Sequence, residues 1–182
     1  MKYFNELQEG VYDPNIFKAF FIAGGPGSGK SFVVRKTTGG LGLRVVNSDD
    51  AFEAQLKKAN LSLKMPADET EPRDVVRDRA KKTTDTRKSG YIEGRLGIII
   101  DGTGRDYDKI NQQVGHLKAL GYDCYMIFVN TSLEVALERN AQRERSVPEY
   151  VTKKSWTAVQ SNIGKFQNLF GMTNMIIVDN NQ

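Results

Sequence analysis

The residues best suited to chemistry lie in one run, Phe20-Phe21-Ile22-Ala23-Gly24-Gly25-Pro26-Gly27-Ser28-Gly29-Lys30-Ser31. An apolar stretch gives way to a glycine-rich turn, and Lys-Ser opens the segment that follows. Gly24 to Ser31 fits G-x-x-x-x-G-K-[ST] without a gap, the pattern of a phosphate-cradling loop. Glycines there let successive backbone N–H groups turn inward on an anion, an approach that side chains would block. A helix starting at Lys30 adds the positive end of its dipole. Contacts to ATP are therefore expected from Gly25, Pro26, Gly27, Ser28, Gly29, Lys30, Ser31 and Phe32. Lys30 would reach the β- and γ-phosphates, and the Ser31 hydroxyl would ligate Mg²⁺. The plainer alternative is a strand followed by a flexible glycine turn. The apolar strand before the loop and Phe32-Val33-Val34 after it weigh against that alternative.

Three further groups extend the chemistry. Asp49, in Ser48-Asp49-Asp50, is the expected general base, because transfer to an alcohol needs a carboxylate that accepts the hydroxyl proton. One of Asp49 and Asp50 is expected to cap the next helix. Asp101 ends the run Ile98-Ile99-Ile100, as does the acid that holds Mg²⁺, usually through water. Its alternative is an ordinary strand-end turn residue. Arg139 and Arg143 are four residues apart, so on a helix they share a face and could close over a transferring phosphoryl group. The bland reading is a surface face neutralised by Glu138 and Glu144. Arg145 follows, and Pro148 breaks the segment.

These residues need a frame that brings them together. Strands are expected over Ile16–Ala23, Leu43–Asn47, Leu96–Asp101, Cys124–Val129 and Asn174–Val178. Between them fall helices over Lys30–Thr38, 51–60, 71–89, 106–120 and 133–143, then one long helix over 149–168. Residues 1–16 read as an amphipathic lead-in ended by a turn at Asp13-Pro14. Alternating strands and helices imply a parallel sheet with right-handed crossovers. The expected fold is one α/β P-loop kinase domain over residues 1–182. It would have about five parallel strands, helices on both faces, a helical insertion over about 51–95 and an arginine-bearing lid over about 139–148. In such sheets ligands collect at the carboxyl ends of the strands, where Gly24, Asp49, Asp101 with Thr103, and Asn130-Thr131 all fall.

Composition sets outer limits. The 182 residues are 39% hydrophobic and 26% charged, ordinary for a globular fold. No apolar run approaches the roughly 20 residues that span a bilayer, so no membrane partner is expected. Residues Met1–Glu6 lack the apolar core of a secretory signal, which makes a cytoplasmic location the default expectation. The single cysteine, Cys124, reads as a small core residue rather than a nucleophile. His116 reads as a surface or packing residue, and Trp156 as an anchor for the last helix.

The net charge is +4, unevenly placed. Between Pro72 and Arg95 eight cations (Arg73, Arg77, Arg79, Lys81, Lys82, Arg87, Lys88, Arg95) face four acids (Asp74, Asp78, Asp85, Glu93). That surplus suits a polyanionic partner, or equally a solvated helix face. Gly102 stands where a motor-type ATPase would carry a water-activating glutamate after Asp101. No Asn-Lys-x-Asp segment of a guanine-specific GTPase is present.

From the first strand to about Met172 the sequence resembles the bacteriophage polynucleotide 5′-hydroxyl kinase domain, within a wider group that includes zeta-toxin-like kinases. Four segments carry the resemblance: Gly24–Ser31, Val46-Asn47-Ser48-Asp49-Asp50, Ile99-Ile100-Asp101-Gly102-Thr103, and Arg139-Asn140-Ala141-Gln142-Arg143 with Val147-Pro148. The resemblance implies Asp49 as general base and Arg139 and Arg143 lining a lid over the ATP phosphates. It further implies Asp101, with Thr103, beside the substrate phosphate, and Val178-Asp179-Asn180 near adenine. The family's substrate-contacting arginine soon after the acidic pair is absent, since Ala51-Phe52-Glu53 stand there. The acceptor is then expected against Arg73, Arg77 and Arg87. The leading expectation is transfer of the ATP γ-phosphoryl group to the 5′-hydroxyl of a nucleic acid. A small-molecule kinase and an acceptor-free nucleotide switch are the alternatives.

Overall fold

The five apolar runs become the strands of one parallel sheet in a computed structural model, which describes residues 13, 15–39, 41–63, 66–143 and 147–181. They are β1 (Lys18–Ala23), β2 (Arg44–Val46), β3 (Ile98–Asp101), β4 (Asp123–Asn130) and β5 (Met175–Asp179), in the order β2-β3-β1-β4-β5. β1 is central and pairs in parallel with β3 and β4. Its alternate residues feed opposite layers, as a two-residue side-chain period requires. Ala19, Phe21 and Ala23 join one core with Val114, Leu117, Val159, Phe166 and Phe170. Ile22 joins the other with Val33, Val34, Ile99, Ile127 and Val129. A strand covered on both faces has no polar side to show, which is why it reads as a continuous apolar run.

Seven helices follow among the described residues: α1 (Lys30–Thr38), α2 (Ser48–Lys58), α3 (Thr70–Glu93), α4 (Tyr107–Ala119), α5 (Leu133–Ala141), α6 (Glu149–Ser161) and α7 (Ile163–Phe170). Several differ from the sequence expectation for identifiable reasons. β1 starts two residues late because Phe17 adopts a left-handed φ of 51°, and Ile16 instead bridges Leu96 antiparallel. The expected long helix over 149–168 is two, broken at Asn162, whose buried amide turns to bond the backbone of Gly104 and Arg105. The expected lead-in lies outside the described residues up to residue 12. Beyond it, Asp13 Oδ1 accepts from Asn15 N at 2.8 Å.

The charged insertion carries a small core of its own, which its composition concealed. Phe52 and Leu56 of α2 pack against Val76 and Ala80 of α3. A spacing of four on each helix puts two apolar residues on one face and leaves the rest to solvent. Elsewhere, Cys124 is buried and its thiol is pushed up to about 11 by that burial, so it stays protonated at neutral pH.

Candidate active site

The phosphate loop is built by contacts from four later segments. Gly27 has a φ of +80°, and a Cβ there would sit 2.1 Å from the Ala136 carbonyl oxygen of α5. Only glycine allows that approach. Gly25 lies under Trp156, whose Nε1 donates to Thr131 O at 2.8 Å and so fixes α6 to the end of β4. The Ser28 carbonyl accepts from the Thr131 hydroxyl at 3.3 Å and from Asn180 Nδ2 at 2.8 Å. Arg139 Nη1 donates to Asn180 O at 2.8 Å, linking the loop, the end of β5 and α5. Gly29, at φ 84°, precedes α1 and leaves its first N–H groups without a side-chain cap. Phe32 N and Val33 N bond Gly29 O at 3.0 and 3.2 Å, which leaves the N–H groups of Lys30 and Ser31 for an anion.

In front of the loop lies a cavity of about 330 Å³. Of the expected site residues, Gly27, Gly29, Lys30, Ser31, Phe32, Asp49, Asp101, Thr103, Arg139 and Arg143 line it. Gly25, Pro26 and Ser28 are not among its lining residues. Lys30 Nζ donates to Gly24 O at 2.8 Å and Gly25 O at 3.2 Å. Burial lowers its pKa, and Arg143 adds to that, against the opposing charges of Asp101 and Asp49. Burial also raises the Asp101 carboxyl above the ordinary carboxylate range, with Asp50 and Asp49 adding to the effect while Lys30 and Arg143 oppose it. The two buried groups are therefore each other's principal charge partner.

Several expectations change here. Neither Asp49 nor Asp50 caps α2. Asn47 does so, its Oδ1 accepting from Asp49 N at 2.8 Å, while its Nδ2 donates to Asp101 Oδ2 at 3.0 Å. One side chain thus ties the acid at the end of β3 to the start of the helix bearing Asp49. Arg139 and Arg143 do not share a helix face, because α5 ends at Ala141. They reach one cavity because buried Asn140 closes the turn: Nδ2 donates to Val147 O at 2.7 Å, and Oδ1 accepts from Val147 N at 3.1 Å. Glu144 and Arg145 lie outside the described residues.

The structure does not bring Arg73, Arg77 or Arg87 to this cavity. Arg73 donates to Pro66 O and Thr70 Oγ1, both at 3.2 Å, and stitches the start of α3. Arg77 stacks over the Phe52 ring at 4.8 Å. Arg87 lines a separate groove between α2 and α3. Sequence reasoning missed Asn47 and Glu53, which line the cavity; Asn180, expected near adenine, bonds the loop at Ser28 O. Asn47 sits where a strand meets a helix, the place where a capping asparagine can be sought.

A second cavity, of about 340 Å³, shares Asn47, Asp49, Asp101, Gly102 and Thr103 with the first. Its further walls include Ser48, Arg105, Lys109 and Gln113. Arg105 was not singled out from sequence. Asp49 and Asp101 therefore stand in a wall common to two chambers, one lined by the loop with Arg139 and Arg143, the other carrying its own cations.

A metal cage of protein groups is not built: among the described residues no three His, Cys, Asp or Glu cluster suitably. Mg²⁺ riding on nucleotide phosphates needs only one or two protein oxygens. Asp101 Oδ1 is buried without a hydrogen-bond partner, and Ser31 lines the same cavity. These residues fit Mg²⁺. Because the fold raises the Asp101 pKa, the stability tied to this group is fully present below its ordinary value of 3.8 and is lost as pH rises through the folded value. Asp101→Asn should thus melt no lower than the wild type at pH 7, with the gap closing as pH falls towards 3.8. A lower melting temperature at pH 7, followed by differential scanning fluorimetry across pH, would refute the assigned cost.

Comparison with known proteins agrees with this architecture. A family model described as "AAA domain" (AAA_33) matches residues 20–165. A cytidylate kinase from Methanothrix thermoacetophila is 33% identical over an alignment of 136 residues that covers 72% of this chain and 67% of that protein. Among solved structures, a chain of the AvrRxo1-ORF1:-ORF2 complex with ATP superposes with a TM-score of 0.70 at 17% identity, over 89% of this chain and 54% of that one. A chain of the Pnkp1/Rnl/Hen1 RNA repair complex gives a TM-score of 0.62 at 21% identity, over 84% of this chain and 47% of that one. The protein spans about half the length of each of these two chains. No described helix is long and apolar enough to cross a membrane. With its phosphate loop and five-stranded parallel sheet, the chain belongs to the AAA_33 family and has the fold of a P-loop kinase.

Proposed function

We propose that this protein transfers the γ-phosphoryl group of ATP to a hydroxyl, that of a nucleic acid 5′ end. The observation that carries the reading is the shared wall: Asp49 and Asp101 stand between a chamber lined by Lys30, Arg139 and Arg143 and a second chamber lined by Arg105 and Lys109. A nucleotide in the first and an alcohol in the second would meet at Asp49. The loop N–H groups and Lys30 hold the phosphates. Lys30 leaves the carbonyls of Gly24 and Gly25 when an anion offers a better partner. Arg139 and Arg143 stabilise charge on the equatorial oxygens as the phosphoryl group passes across, a task suited to planar guanidinium. Asp49 orients the acceptor hydroxyl and takes its proton, so the oxygen attacks as it is deprotonated. Ser31 and Asp101 would hold Mg²⁺, which when bound neutralises charge between the β- and γ-phosphates. Arg105 and Lys109 suit an acceptor that is itself an anion, and they stand in for the substrate arginine absent after Asp50.

The similarity to a cytidylate kinase supports a second reading, a nucleotide as acceptor. Incubation with γ-labelled ATP and a panel of 5′-hydroxyl DNA, 5′-hydroxyl RNA, nucleosides, nucleoside monophosphates and sugars separates the two. Label on a 5′-hydroxyl oligonucleotide is expected. Label confined to monophosphates would transfer the conclusion to the second reading, and acceptor-independent release of phosphate alone would end both.

A further inference from the structure

The chamber lined by Arg105 and Lys109 continues outward. It shares Arg105 and Asp106 with an outer cleft of about 650 Å³, which runs between the start of α4 and the helices α6 and α7. Tyr150 on α6 stands in this cleft, 74% exposed, with Lys154 one turn further along the same face. Across it, Lys165 of α7 holds its ammonium 5.5 Å from the centre of the Tyr107 ring. The floor is rigid, because Asn162, 5% exposed, donates to the carbonyls of Gly104 and Arg105, both at 3.0 Å. Two acids also line the cleft. Asp106 is engaged in capping α4, accepting from Lys109 N at 3.1 Å, and Asp108 lies in that helix's first turn. Arg105, Lys154, Lys165 and the two tyrosines thus line a continuous path that starts at the wall holding Asp49.

We propose that this outer cleft binds the nucleotides next to the 5′ end of a single-stranded polynucleotide, whose terminal nucleotide occupies the inner chamber. The inference rests on the hydroxyl-kinase reading and sharpens it, since it makes chain length the property selected. An exposed tyrosine offers a face for a base of any identity, and flanking ammonium groups track the phosphates. The competing basic surface is the groove of about 800 Å³ between α2 and α3, with Lys58, Arg79, Lys82 and Arg87. It holds more charge but no aromatic group. It also lies on the wrong side of α2. At about 100° per residue, Gln55 and Lys58 project from the face opposite Asp49 and Glu53. Nucleotides contiguous with an end held at Asp49 reach the outer cleft and not that groove.

The test compares 5′-hydroxyl acceptors of rising length, a nucleoside 3′-phosphate, a trinucleotide and a decanucleotide, in the wild type and in Tyr150→Ala/Lys154→Ala/Lys165→Ala. Wild-type kcat/KM should rise about ten-fold or more from the mononucleotide to the decanucleotide. The triple variant should lose that rise and keep mononucleotide kcat/KM within about two-fold, with an unchanged thermal melt. A parallel titration follows the anisotropy of a 3′-labelled decanucleotide without ATP at two salt concentrations. Binding should weaken about ten-fold in the triple variant and stay unchanged in Arg79→Ala/Lys82→Ala/Arg87→Ala. Equal wild-type efficiency on all lengths, equal losses on short and long acceptors, or binding that follows the second variant would each overturn the proposal. If no acceptor is labelled, the kinase reading falls, while the titration alone still decides the cleft.

Discussion

Asp49→Asn should lower kcat for transfer to a 5′-hydroxyl by about 10²–10⁴-fold, the usual contribution of a positioned general base, while ATP affinity stays within a few-fold. The substitution is isosteric and keeps the Asp49 backbone N–H that Asn47 accepts, so α2 keeps its start. The side chain lies at an exposed rim rather than in the loop, which is why the nucleotide should scarcely register the change. The size of the loss also separates the two acceptor classes. A hydroxyl must surrender a proton as it attacks. An acceptor phosphate, whose second pKa is about 6, is already ionised at neutral pH and asks little of a base. Quenched-flow measurement of the transfer step together with an ATP-binding titration provides the check. Undiminished transfer to a hydroxyl in the variant would remove Asp49 from the proposed role.

A second large effect is expected at Gly27→Ala, where no catalytic group is touched. An added methyl would lie 2.1 Å from the Ala136 carbonyl oxygen, in a left-handed conformation with φ of +80°. The obstacle is helix backbone, which cannot swing aside as a side-chain tip can. Strain and overpacking together cost about 2–4 kcal/mol, which corresponds to roughly 5–15 °C in Tm for a chain of this size. Any relief comes from pushing the loop away from α5, which misaligns the N–H groups aimed at the phosphates. ATP affinity should therefore fall with stability, by about 100-fold or more for a loss near 3 kcal/mol. A variant with wild-type melting and wild-type ATP affinity would show that the loop and α5 are less tightly coupled than the geometry requires.

Local patterns in the sequence carried the frame. Each buried strand is a short apolar run, and each polar group at its carboxyl end, from Gly24 to Asp101, falls on the same edge of the sheet. What stayed hidden depends on side chains reaching distant backbone. Asn162 breaks a periodic helix by bonding carbonyls 57 and 58 residues away. Asn140 brings Arg143 into the cavity from beyond the end of its helix, through two bonds to Val147. Neither asparagine has a spacing that marks it. The basic stretch from Arg73 to Arg95 misled for a related reason. Charge count says nothing about direction, and Arg73 and Arg77 are occupied with a helix start and a phenylalanine ring.

The bonds that hold Ser28 also set an order of events in folding. Its carbonyl is bound by Thr131 and Asn180, 103 and 152 residues further along the chain. The loop sequence leaves the ribosome before Thr131 and Asn180, so its anion-binding shape is completed only when β4 has docked beside β1 and β5 beside β4. Such distant pairings carry the largest loop-closure entropy and form late. Nucleotide binding should then be the last property to appear during refolding, after helical signal and most core burial. Bound ATP, by favouring only the finished state, would draw the whole sheet to completion.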